Sequence, residues 1–176
     1  MYEQNEVLHA LCTRRSVRSY DSTKPVEREK LEAILTAGQY APTGRNRMST
    51  KFVVVQESEL LHRLSQMNAA ILGTDSDPFY GAPVAVVVLA NSTISTWVED
   101  GSLAIGAMLN ATYALGLGSC WIHRAREIFD SEEGKALLQQ WHIPEEYRGV
   151  GFCVMGYADG ALPEPVPRKK EQIYWK

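Results

Sequence analysis

The chain has little cysteine. Cys12, Cys120 and Cys153 are its only three, an odd number at wide spacing with no Cys-x-x-Cys pair. That usage argues against a disulfide framework or a zinc site and fits a reducing cytoplasm. Positive charge is not in excess either. Eighteen Lys and Arg stand against 21 Asp and Glu, a net of −3, so nothing draws the whole chain to nucleic acid or anionic lipid, and any anion must be held by a local cluster. A long hydrophobic run is also missing. The longest, 82–90, falls far short of the roughly 20 residues a membrane helix requires. The opening Met1-Tyr2-Glu3-Gln4-Asn5-Glu6 is polar and acidic, unlike a signal peptide. The expectation is a soluble cytoplasmic protein with no membrane and no nucleic-acid partner.

What the chain does have is enough apolar content for a core: 45% over 176 residues, which suits a single domain spanning 1–176. Its densest chemistry lies at Arg14-Arg15-Ser16-Val17-Arg18-Ser19-Tyr20, three guanidinium groups within five residues. Arginine forks donate paired hydrogen bonds to one phosphate, and Ser16 adds a further donor, so the stretch reads as a phosphate grip. A second reading stands beside it. Residues 3–13 look like a short helix, and arginines just past a helix end also complement its negative pole.

Taken in order, Val7, Leu8, Leu11 and Cys12 recur at helical spacing, so the first helix is expected to lay one face on the core. A second helix is expected over about 27–40, stopped by Pro42. The loop Ala41-Pro42-Thr43-Gly44-Arg45-Asn46-Arg47 follows, small and polar. Residues 51–56 read as a strand buried on both faces, and Ser58 as the cap of a helix carrying Leu60, Leu61, Leu64 and Met67. From 68 to 82 the pattern dissolves into a candidate mobile loop or lid, and the valine-rich 83–90 is a second strand covered on both sides. Residues 99–115 lack charge after Asp100 and read as a central helix buried all round, with Gly101 and Gly106 admitting another helix. Residues 119–122 make a third strand, Ser131 starts a helix to about 141, and 149–156 make the last strand. The glycines at 116 and 118 are no dinucleotide fingerprint, because the helix comes before them and the strand after. The arm 157–176, with Pro163, Pro165 and Pro167 at alternate positions, must be extended and lie on something. Its Arg168-Lys169-Lys170 is either a solvated end or a second basic cluster, which would meet the first if the arm folded back across the first helix.

Four segments together carry a resemblance over essentially the whole length: Arg-Arg-Ser-x-Arg at 14–18, Ala-Pro-Thr-Gly-x-Asn at 41–46, Gly-Leu-Gly-Ser-Cys-Trp-Ile at 116–122, and the Pro-rich arm with Arg168. The chain resembles the FMN-dependent nitroreductases. The resemblance implies an α+β fold, a three-layer α/β/α sandwich with a mixed, mainly antiparallel sheet, built as a domain-swapped homodimer with FMN at the subunit interface. It implies that Arg14, Arg15, Ser16, Arg168 and Lys170 hold the phosphate. Arg18 would lie under the pyrimidine edge of the flavin, where a fixed cation stabilises charge gained on reduction. Pro42, Thr43, Gly44 and Asn46 would border the ring from the other subunit, and Asn68 would reach its polar edge. Trp121, Ile122, His123 and Arg124 would contact the cofactor, with the backbone N–H groups around His123 and Arg124 as donors to flavin N5.

The sequence departs from the family pattern at Arg47-Met48-Ser49-Thr50, where Gln-Pro-Trp is common after one residue, and at Arg124, where many members have glycine. The activity implied is an oxidoreductase in which NADH or NADPH reduces FMN, and a small flat acceptor such as a nitroaromatic or quinone is reduced in turn. No side chain need be a strict acid or base. Two alternatives stay open: a non-catalytic FMN or phosphate-ligand carrier or sensor, and a flavoenzyme dedicated to one metabolite.

Overall fold

The computed structural model describes residues 4–176, apart from the Lys170 side chain. Its elements run α1 (Glu6–Thr13), α2 (Arg28–Gln39), β1 (Thr50–Val55), α3 (Ser58–Leu72), β2 (Val84–Asn91), α4 (Trp97–Ala114), β3 (Gly118–Ile122), α5 (Ala125–Asp130), α6 (Glu132–Gln140) and β4 (Tyr147–Gly156). The strands form one sheet in the order β1-β2-β4-β3, antiparallel throughout. A single parallel bridge, Ser16 to Ser119, adds the arginine segment beside β3.

Strand β2 shows why the sheet sits between two helical layers. Side chains alternate along a strand, so Val84, Val86, Val88 and Ala90 join one apolar cluster with Ile34, Ile105 and Met108 of α2 and α4. Ala85, Val87 and Leu89 join the other, with Leu64, Ile128 and Leu138 of α3, α5 and α6. A bulge skips Val150 between the pairs Val88–Gly151 and Leu89–Gly149. The extra residue turns Val150 towards α4, where Gly101 makes room: a Cβ there would lie 2.6 Å from Val150 Cγ2. Gly101 therefore admits a strand, not the helix expected, and a Cβ at Gly106 would meet nothing within 4 Å.

Several expectations are corrected. Helix α1 buries no residue and leaves Val7 67% exposed. Strand β1 is an edge strand and only half-covered, with Val54 exposed. Helix α4 buries Ala104, Ile105, Met108 and Thr112 but exposes Leu103, so it is covered on one face only. Ser58 is the first residue of α3, not its cap; Glu57 holds that position with no side-chain bond. Helix α3 continues through Asn68 to Leu72 and closes on Gly73 at φ 72°. Beyond it the chain is tied down: Asp77 accepts from Phe79 N at 2.8 Å and Gly81 N at 2.6 Å, and Phe79 is buried. Helix α5 is an element that the sequence pattern does not announce. From residue 159 on, the described side chains of the arm are all exposed. Asp159 N donates to Ser19 O at 3.0 Å, but residues 160–169 beyond it make no hydrogen bond or ion pair among the described residues and are exposed.

Candidate functional site

The arginine segment is held against the sheet by its neighbours. Val17 N donates to Ser119 O at 3.0 Å, and buried Val17 sits on Gly118, where a Cβ would come within 2.6 Å of its Cγ2. That contact fixes the backbone on either side. Arg15 turns to the end of α1, its Nη1 donating to Cys12 O at 2.9 Å and Arg14 O at 2.7 Å; to this extent the helix-pole reading holds. Yet Arg15 Nε and Arg14 Nη1 are buried with no acceptor in the protein. Buried donors are almost always paired, so these two call for an acceptor from outside the chain. Ser119, which bridges to Ser16, also has a buried Oγ without a partner.

Cys120 registers the same cluster. Burial pushes its thiol above the ordinary value, while Arg18, Ser16 and Arg14 pull it the other way. Burial also raises Cys153, to about 12. Neither thiol is poised to act as a nucleophile. Arg18 itself is exposed.

At the far end of β3, Ile122 is buried, Trp121 half-buried and His123 exposed. Arg124 follows at φ 74°, a left-handed conformation that arginine seldom takes. Trp121, His123 and Arg124 line a pocket of about 210 Å³ together with Val98 and Ser102 of α4. Asn68, 0% exposed, reaches across from α3, and its Nδ2 donates to His123 O at 2.7 Å. Its Oδ1 is buried with no donor.

The loop with Pro42, Thr43, Gly44 and Asn46 lies elsewhere. Pro42, Thr43 and Asn46 line a groove of about 880 Å³ with Tyr40, Met48 and Phe52, and no residue of the arginine segment lines it. The loop's anchor is Asp100, which sequence reading passed over. This carboxylate, 2% exposed, accepts from Gly44 N at 2.8 Å, Ser49 Oγ at 2.5 Å and Thr96 Oγ1 at 3.3 Å. The available signal was an acid in the first turn of a helix that carries no charge beyond it. Arg168 is exposed, and the Lys170 side chain lies outside the described residues. Among the described residues no His, Cys, Asp and Glu cluster could hold a metal, and no helix is long and apolar enough to cross a membrane.

The model of the Nitroreductase family matches residues 11–157. A protein of Archaeoglobus fulgidus bearing the provisional name NADH dehydrogenase/NAD(P)H nitroreductase is 33% identical over 158 residues, covering 86% of this chain and 85% of that protein. The FMN reductase (NAD(P)H) of Bacillus subtilis is 30% identical over 179 residues, covering 92% and 70%. Among solved structures, a nitroreductase with bound FMN from Bacteroides fragilis superposes with a TM-score of 0.89 at 31% identity, covering 98% of this chain and 99% of that one.

Proposed function

The chain belongs to the nitroreductase family, and from that premise we propose that it is an FMN-dependent oxidoreductase carrying hydride from NADH or NADPH to a nitroaromatic, quinone or similar flat acceptor. The observation that carries this reading is the set of buried polar atoms without partners. Arg14 Nη1 and Arg15 Nε lack acceptors, and Asn68 Oδ1 lacks a donor. A phosphate monoester supplies acceptors to the first two. The oxidised isoalloxazine ring has one N–H donor, at N3, which suits the third.

When bound, FMN supplies the redox chemistry, taking hydride at N5 and passing reducing equivalents on. The residues supply position and charge. Arg14, Arg15 and Ser16 hold the phosphate, and Arg18 sets a cation at the pyrimidine edge. Trp121 and Ile122 carry the chain to His123 and Arg124, whose backbone N–H groups would hold the ring at N5. Asn68 takes the ring N–H. The pocket at Arg124 admits donor and acceptor in turn.

A second copy of the chain completes the site. It supplies Pro42, Thr43, Gly44 and Asn46 beside the ring, and Arg168 with Lys170 at the phosphate. What supports this assembly is apolar surface that one chain leaves uncovered: α1, Leu103 beside Gly106 on α4, the outer edge of β1, and an arm whose Trp175 is 92% exposed. Surface of that kind marks an interface. The three unpaired cysteines suit a cytoplasmic protein.

The test is direct. The purified protein is yellow and is bleached anaerobically by NADH or NADPH, and Arg14→Ala releases FMN into a desalting filtrate. Retention at wild-type occupancy by that variant would overturn the phosphate assignment, and a flavin that neither nucleotide bleaches would make the protein a carrier.

A further inference from the structure

The bond from Asn68 ends on a peptide group, and that peptide is in an unusual state. A carbonyl oxygen only accepts, so the Asn68 nitrogen must face His123 O, which settles which way round the amide lies. No described peptide is cis. In a trans peptide the C=O and the N–H point in opposite directions, so fixing the His123 carbonyl also aims the Arg124 N–H. That N–H donates to no protein acceptor among the described residues. Arg124 is meanwhile held at φ 74°, which costs any residue but glycine. Half a turn of this peptide would bring φ to roughly −106° from 74°, an ordinary region for arginine, and would carry the N–H to the other side. The Asn68 bond opposes that turn.

We propose that Asn68 is a positioning residue that locks the His123–Arg124 peptide with its N–H presented to the flavin. The inference rests on FMN binding here as proposed above. It has a signature that simple contact between Asn68 and the ring lacks, namely dependence on residue 124. With arginine there, loss of Asn68 lets the peptide relax, and apparent FMN affinity falls by the fraction of molecules that leave the competent state. With glycine there, φ 74° is tolerated and the peptide has no cause to turn.

A double-mutant cycle reads this. FMN dissociation constants are measured by quenching of FMN fluorescence for wild type, Asn68→Ala, Arg124→Gly and the double variant. The anaerobic bleaching rate by NADH is followed in parallel. The expected loss on removing Asn68 is roughly five to thirty times larger in the wild-type background than in the Arg124→Gly background, the factor set by the strain of a left-handed arginine. Equal losses in the two backgrounds make Asn68 a plain ring contact and overturn the proposal alone. A wild-type protein that takes up no FMN overturns both this proposal and the functional reading under it. Should Asn68→Ala fail to fold, Asn68→Ser, too short to reach His123 O, enters the same cycle with the same two outcomes.

Discussion

Removing the carboxylate of Asp100 tests how the 43–49 loop is held. In Asp100→Ala the Gly44 N–H and the Ser49 hydroxyl both lose their acceptor, at 2.8 and 2.5 Å, and Thr96 loses a weaker one at 3.3 Å. Hydrogen bonds to a charged group contribute about 1.5–3 kcal/mol each, and the buried charge that is removed gives back part of its desolvation cost, leaving a net loss of about 3–5 kcal/mol. At about 2–4 °C per kcal/mol for a chain of this size, thermal unfolding should fall by roughly 10 °C. Asp100→Asn keeps an acceptor for Gly44 and lets the Ser49 hydroxyl rotate to accept, so it should cost only about 1 kcal/mol. Urea and thermal melts of both variants, with FMN occupancy measured alongside, decide the matter. An Asp100→Ala protein within about 1 kcal/mol of wild type would refute the reasoning, because the loop would then be held by something else.

Gly101→Ala should destabilise by about 1–3 kcal/mol, as overpacking does, since its Cβ would press on Val150 of β4; a chemical melt with unchanged midpoint counts against the bulge packing. Alkaline stability follows from the buried acids. Burial raises the Tyr20 hydroxyl, and it raises Cys153 from 9.0 to about 12, so the folded state binds these protons more tightly than the unfolded chain. The resulting stability is whole below about pH 9 and declines as pH rises towards about 12. Urea midpoints taken across that range should therefore fall, less steeply in Cys153→Ala; a flat profile would contradict the sign. If the proposed dimer forms, truncation after Asp159 should leave the subunit core folded but lower FMN occupancy and shift sedimentation towards the monomer; sedimentation unchanged from wild type would remove the arm from that proposal.

The helical layers and the central strand were legible because their patterns are answered within the chain. The valine run of β2 and the spacing of Leu31 and Ile34 on α2 meet apolar atoms of the same molecule. The readings of α1, β1 and α4 erred for one shared reason: periodicity tells that a face is apolar, not that the rest of the chain covers it. Helix α5, six residues long, is too short for a period to show. The full length of α3 could have been read from Gly73, a glycine that ends the helix in the left-handed conformation. Within the site, Arg14, Arg15 and Ser16 stood out because they are adjacent. The Asp100–Gly44 and Asn68–His123 bonds did not, since each joins residues more than fifty positions apart.

The alternation along β2 also limits how this protein can change. Every inward position of that strand is claimed by one helical layer or the other, so inserting or deleting a single residue would exchange the two sets wholesale. Length variation is thereby pushed outward, into the chain's margins. The proline-rich end, exposed along its described length, is where residues can be gained or lost without disturbing either layer.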